Sequence, residues 1–181
     1  RVIENINFYI IFFSEFFFLI ALSILLVFFV IIDSLNQNKS INYSYSKLSS
    51  KLLIFSLVLT FLLSNNNYSN FFVFDNLLVY DELSIFVKNI LIFSVICCIL
   101  ISYNYLHIDK IFQYEFFVLL GLAFFGMTIL VNSNDLITMY LGIEIQSLSF
   151  YILATFKIYN NYSTEAGLKY FMEQVRAADH R

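Results

Sequence analysis

The strongest constraint on this chain is a series of near-unbroken apolar runs, separated by linkers rich in Asn, Ser and Tyr. A transmembrane helix needs ~20 such residues, and five runs reach or approach that length: residues 8–32, 48–64, 83–102, 116–131 and 136–156. Of 181 residues, 60% are hydrophobic and 13% charged, more apolar surface than a soluble domain of this size can bury. The runs are continuous and far longer than the ~10-residue alternating segments of a membrane β-barrel. The expected fold class is therefore all-α, a polytopic membrane helix bundle. Residues 1–162 should form five full transmembrane helices, and residues 163–181 the start of an incomplete sixth helix and a polar carboxyl tail. In that last segment Ser163 or Thr164 can cap a helix, and Glu165 in its first turn suits the helix dipole. Lys169 stands where the sixth helix should enter the bilayer, but MEQVRAADHR follows in place of an apolar run.

Charge distribution orients the bundle. Lys39, Lys47 and Lys51 mark the first linker, Lys110 the third, and Lys157, Lys169, Arg176 and Arg181 the segment after the fifth run. The second linker carries Asp75, Asp81 and Glu82 without a cation, and the fourth only Asp135. The cation-rich linkers should face the matrix or cytoplasm, which puts the amino terminus on the outer side. Net charge is only -3 and no basic patch is interleaved with aromatics, so the expected surroundings are membrane lipids and not nucleic acid. Adjacent Cys97 and Cys98 point in different directions on a helix and read as packing residues, neither a disulfide nor a metal site. Asn-x-Ser triplets at Asn38, Asn42, Asn67 and Asn161 fall on both expected sides of the membrane, so they are not glycan acceptors. With 23 Phe and 13 Tyr against 4 Gly and no Pro, the composition favours residues with AT-rich codons, as organellar genomes do. No Arg-rich transit peptide or cleavable signal precedes the first run.

One carboxylate lies near the middle of a run. Glu144 is about 15 Å along a helix from Asn134, half the depth of a hydrocarbon slab. An ionised group there must be neutralised, paired or hydrated, which makes it a functional candidate. Tyr140, Glu144, Ser147 and Tyr151 step by four, three and four, so they share one helix face able to hold water around the carboxylate. A proton-carrying site is one reading; a structural Glu paired with a neighbouring helix is the other. Glu15 in the first run reads either as a protonated or headgroup-reaching carboxylate or as a subunit contact. Lys88 should snorkel to the outer interface, and His107 reads as a surface histidine.

The strings YLGIEIQSLSFY and STEAGLKYF, with ungapped similarity over residues 114–171, resemble subunit 2 of mitochondrial NADH:ubiquinone oxidoreductase (respiratory complex I) and its bacterial counterpart. Toward the amino terminus the resemblance is looser, and before Asp75 it rests on hydropathy and Glu15. It implies an antiporter-like subunit of a proton-pumping membrane arm, similar to a 14-helix protein with two inverted repeats. By that resemblance Glu144 pairs with a lysine on a later broken helix and takes part in proton transfer, and Lys169 belongs to the same hydrophilic axis. The alternative role for Lys169 is an interfacial anchor.

The resemblance places this chain in the amino-terminal part of the subunit, with a companion chain from a split gene supplying the remaining helices. Expected partners are that chain and the other complex I membrane-arm subunits, in the mitochondrial inner membrane, with the chain organelle-encoded. No lysine of this chain is expected at the depth of Glu144, so its cation should come from elsewhere. No Gly-rich phosphate loop or ligand cysteine cluster occurs, so flavin, iron–sulfur clusters and ubiquinone are expected in other subunits. Two alternatives stand beside the pumping subunit: part of a cation/proton antiporter complex, and a non-pumping structural piece of the membrane arm.

Overall fold

The computed structural model describes residues 39–64, 71–73, 76–108, 115–156 and 161–179, and within these the side chains of residues 39–45 and a few others are left aside. The first expected run with Glu15, and the side chain of His107, lie outside the described residues. Four helices are long and apolar enough to cross a membrane: α1 (Lys39–Ser64, apolar over Ser46–Ser64), α2 (Glu82–Ile108), α3 (Glu115–Asn132) and α4 (Leu136–Ala154). They correspond to the second through fifth expected runs. A fifth helix, α5 (Asn161–Asp179), follows.

Helices α1, α2 and α3 share one seam. Leu53 and Leu57 of α1, Ile92, Val95 and Ile99 of α2, and Phe117 and Phe124 of α3 form its buried apolar part. Their steps of three, four and seven are those of a single helix face. Serine and threonine also occupy this seam on α1, and each satisfies its hydroxyl locally. Ser56 donates to the Leu53 carbonyl and Thr60 to the Leu57 carbonyl, both at 2.8 Å. Small hydroxyl side chains let helices approach closely where lipid supplies no hydrophobic drive for packing.

The α3–α4 pair is the most closely packed in the bundle, and two glycines explain it. A Cβ on Gly126 would stand 2.7 Å from the backbone nitrogen of Gln146; one on Gly142 would stand 3.0 Å from that of Leu130. Backbone meets backbone at this crossing, so no side chain larger than hydrogen fits.

The all-α expectation needs one correction. Phe71–Val73 (β1) and Leu78–Tyr80 (β2) form an antiparallel hairpin between α1 and α2, with Phe71 opposite Tyr80. Aromatic and β-branched residues favour the pleated strands, and Asn76 takes the positive φ of 71° that the reversal requires. The hairpin clasps the α3–α4 connection. Leu78 bridges Ser133, Asn134 N donates to Leu77 O at 3.0 Å, and Asn134 Nδ2 donates to Asn76 O at 2.8 Å. The starts of α2 and α4 and the end of α3 therefore gather at one end of the bundle, the hairpin end.

At the opposite end the chain turns into α5. This helix begins at Asn161, two residues before the expected cap, because Ser163 is used differently: its hydroxyl donates to Ala154 O at 2.7 Å. The polar tail also continues as helix to Asp179. Tyr151 of α4 meets Tyr170 and Phe171 edge-on, at 5.1 and 5.6 Å between ring centres, so α5 folds back along α4. Cys97 is half-buried, but Cys98 is exposed and not packed as expected; both are free thiols.

Candidate functional site

Helix α4 starts at Asp135, whose backbone is extended (φ -105°, ψ 152°) and whose carbonyl accepts from Met139 N at 3.0 Å. Its carboxylate makes no capping bond but adds negative charge at the positive end of the helix. Only 17% of α4 is buried inside the chain, against 44% of α3. One side of α4 is taken by α3, and most of the rest is open to whatever surrounds it.

Glu144 lies eight residues beyond Leu136, about 12 Å into the helix. It is half-buried. Tyr140, one turn earlier and exposed, has its phenol beside the Glu144 carboxylate, close enough for the two to interact. A phenol donates and a carboxylate accepts, so the pair extends the polar site toward the hairpin end.

The other members of that face divide differently. Ser147 is buried, and its hydroxyl donates 2.9 Å to the backbone carbonyl of Glu144, not to the carboxylate. Its hydrogen is spent on the helix, so it can only accept from water or a partner. Tyr151 is half-buried against Tyr170 and Phe171 and ties α4 to α5. Helical spacing placed all four residues together; the neighbours on each side of α4 decide which of them stay open.

Lys169 forms an ion pair with Glu165 of its own helix, Nζ to Oε1 2.7 Å, with both side chains well exposed. Its neighbour Tyr170 is level with Tyr151, seven residues or about 10 Å along α4 from Glu144. The structure thus joins Glu144 with Tyr140, and Lys169 with Glu165, as two separate polar pairs.

Lys88 corrects the sequence reading. It does not reach out to an interface: it is 3% exposed, inside the α1–α2–α3 seam. It lies six residues beyond Glu82, about 9 Å into α2 from the hairpin end, and Glu144 is about 12 Å into α4 from that same end. A lysine of this chain therefore does stand near the depth of Glu144, on a different helix. Ser84, Lys88, Ile92, Val95 and Ile99 step by four, four, three and four, the spacing of a core stripe. That spacing was the available signal, outweighed by the usual preference of a lysine near a helix end for the interface.

Residues 133–178 match the family described as "NADH:quinone oxidoreductase/Mrp antiporter, TM". The match covers α4, Glu144, Lys169 and nearly all of α5. The chain is 36% identical over 155 residues to NADH-quinone oxidoreductase subunit N of Pelagibacter ubique, covering 84% of this chain and 32% of that protein. Against the same subunit of Jannaschia sp. the identity is 40% over 99 residues, 55% of this chain and 20% of the relative. Against that of Heliobacterium modesticaldum it is 32% over 141 residues, 78% and 29%. The chain spans about a third or less of the length of these curated relatives. Membrane-length helices, a mid-span carboxylate and these similarities converge: the chain is similar to the antiporter-like membrane subunit N of NADH-quinone oxidoreductase.

Proposed function

We propose that this chain is the amino-terminal part of a proton-translocating, antiporter-like subunit in the membrane arm of an NADH:ubiquinone oxidoreductase, the mitochondrial subunit 2 type. In this reading Glu144 is the proton carrier, and Tyr140 orients it and links it to water. The observation that carries the reading is the position of Glu144: mid-span, beside Tyr140, on a helix little buried by the described residues.

The chemistry is charge-coupled proton binding. A carboxylate at this depth holds or releases its proton according to the charge brought near it. Helices supplied by a companion polypeptide, to a total of fourteen, cover α4 and bring a cation to Glu144. Conformational change driven by electron transfer elsewhere moves that cation. The redox chemistry itself, with flavin, iron–sulfur clusters and quinone, belongs to other subunits. Lys169, held by Glu165, lies further along the same polar route. The hairpin end faces the intermembrane space, as the lysine-poor linkers support.

Replacing Glu144 by Gln in the assembled enzyme tests this. The expected result is a lower ratio of protons pumped to electrons transferred, with NADH oxidation in uncoupled membranes retained. Normal pumping by a fully assembled variant refutes the assignment. A second reading, a subunit of a cation/proton antiporter complex, draws support from the Mrp antiporters in the matched family. Co-purification decides between them: flavin and iron–sulfur subunits accompany the chain in the first case and are missing in the second.

A further inference from the structure

The α1–α2–α3 seam changes character along its length. Away from the hairpin its buried positions are apolar on α2 and α3 (Ile92, Val95 and Ile99, Phe117 and Phe124), while on α1 Leu53 and Leu57 alternate with the buried Ser49, Ser50 and Ser56. At the hairpin end the same three stripes turn polar. Thr60 and Ser64 continue α1's stripe, Ser84 and Lys88 continue that of α2, and Thr128 and Asn132 continue that of α3, all at most 7% exposed. Buried hydroxyls occur elsewhere in the seam; a buried lysine and a buried asparagine among them set the hairpin end apart.

The chemistry of the lining is one-sided. Thr60, Ser64, Ser84 and Thr128 each donate their hydroxyl hydrogen to a carbonyl of their own helix, at 2.8, 3.1, 2.7 and 2.8 Å. What remains on these oxygens is acceptor capacity, part of it on Ser84 already taken by Asp81 N at 2.9 Å. Ser64 also lies 3.4 Å from Asn89 Oδ1, tying α1 to α2 at this level. Asn132 adds an independent observation: its Oδ1 is buried with no hydrogen-bond partner among the described residues. A cluster of buried acceptors suits a group that is all donor, either an ammonium or a protonated water.

We propose that Lys88 is a second proton-binding site, exchanging protons with water held among Ser64, Ser84, Thr128 and Asn132 at the hairpin end. The step is a proton transfer alone. The ammonium gives one proton to water, breaking an N–H bond and forming an O–H bond, and the neutral amine is reprotonated later; no electrons move. The proposal rests on the reading of this chain as part of a proton-translocating subunit, and adds to it a residue on the side of α3 away from Glu144.

The test uses the intact respiratory enzyme in membrane vesicles, carrying Lys88→Met, Lys88→Arg or Lys88→Gln, beside Glu144→Gln. Arginine keeps the charge but does not release its proton. The expected result is a lowered proton-to-electron ratio in all three Lys88 variants, comparable to that of Glu144→Gln, with uncoupled NADH oxidation kept within about two-fold. Normal pumping by Lys88→Arg overturns the proposal, because a fixed charge is then enough. Normal pumping by Lys88→Met or Lys88→Gln overturns it too, and failure of all three to assemble assigns Lys88 to folding instead. If Glu144→Gln also pumps normally, the functional reading falls with it; if Glu144→Gln is impaired and the Lys88 variants are not, only the second site is refuted.

Discussion

Gly126→Ala is the sharpest structural test of how Glu144 is held. The added methyl would meet the Gln146 backbone nitrogen at 2.7 Å, the Gly142 carbonyl at 3.0 Å and the Gln146 Cα at 3.1 Å. Ordinary contact begins at 3.4 Å, so the helices must separate by about 0.7 Å, the difference between 3.4 and 2.7 Å. All three obstacles are backbone, so no rotamer change relieves them. Separation by that amount forfeits a quarter to a half of the dispersion energy of the atom pairs pushed apart, and overpacking of this kind costs about 1–3 kcal/mol. Gly167→Ala supplies the control. There a Cβ runs into the γ-methyl of Thr155, the tip of a side chain on a partly buried residue, which can turn away. Thermal unfolding in detergent micelles, followed by helical circular dichroism, should show a clear loss of stability for Gly126→Ala and a smaller one for Gly167→Ala. Gly126→Ala and Gly142→Ala combined should fall short of the sum of the two, because both open the same crossing. Equal melting of Gly126→Ala and the unaltered chain would refute the close crossing.

Tyr140→Phe removes the hydroxyl beside Glu144 while leaving the ring; proton pumping should fall in the same direction as for Glu144→Gln but less far, measured as the proton-to-electron ratio in vesicles. Lys169→Met breaks an exposed i,i+4 pair worth only about 0.3–0.5 kcal/mol, so melting should hardly change. A marked fall in pumping without a fall in stability would then place Lys169 on the proton route, and unchanged pumping would make it an anchor.

The four membrane-length helices were legible because apolar length is a strong signal, and observed and expected bounds agree closely for α3. α1 begins nine residues before its apolar run: KSINYSYSK has little hydropathy, yet it continues the helix whose serines line the seam. The hairpin was missed because three-residue strands beside Asn-rich linkers give almost no periodicity, and the pairing depends on a loop more than fifty residues away. At the site, spacing along α4 put Tyr140, Glu144 and Ser147 on one stripe. It did not separate Ser147, buried and turned to its own backbone, from Tyr140, exposed on the same stripe. That distinction comes from which helices lie alongside α4, and spacing along one helix does not contain it. Lys88 failed for the converse reason. Its own stripe placed it in the core, and a general preference of lysine for interfaces overrode the local pattern.

The hairpin has a mechanical consequence. Through Leu77, Leu78 and Asn76 it fastens the loop joining α3 and α4, and Thr138 in the first turn of α4 adds a bond to Leu77 O at 3.3 Å. Three helix tips are thus riveted into one plate, and sliding of α4 along its axis is resisted at that end. The opposite tip is held by side-chain rings and by the Ser163 hydroxyl bond to Ala154. Any stroke that alters the surroundings of Glu144 is then a swing about the riveted end, with travel growing toward Ala154 and α5.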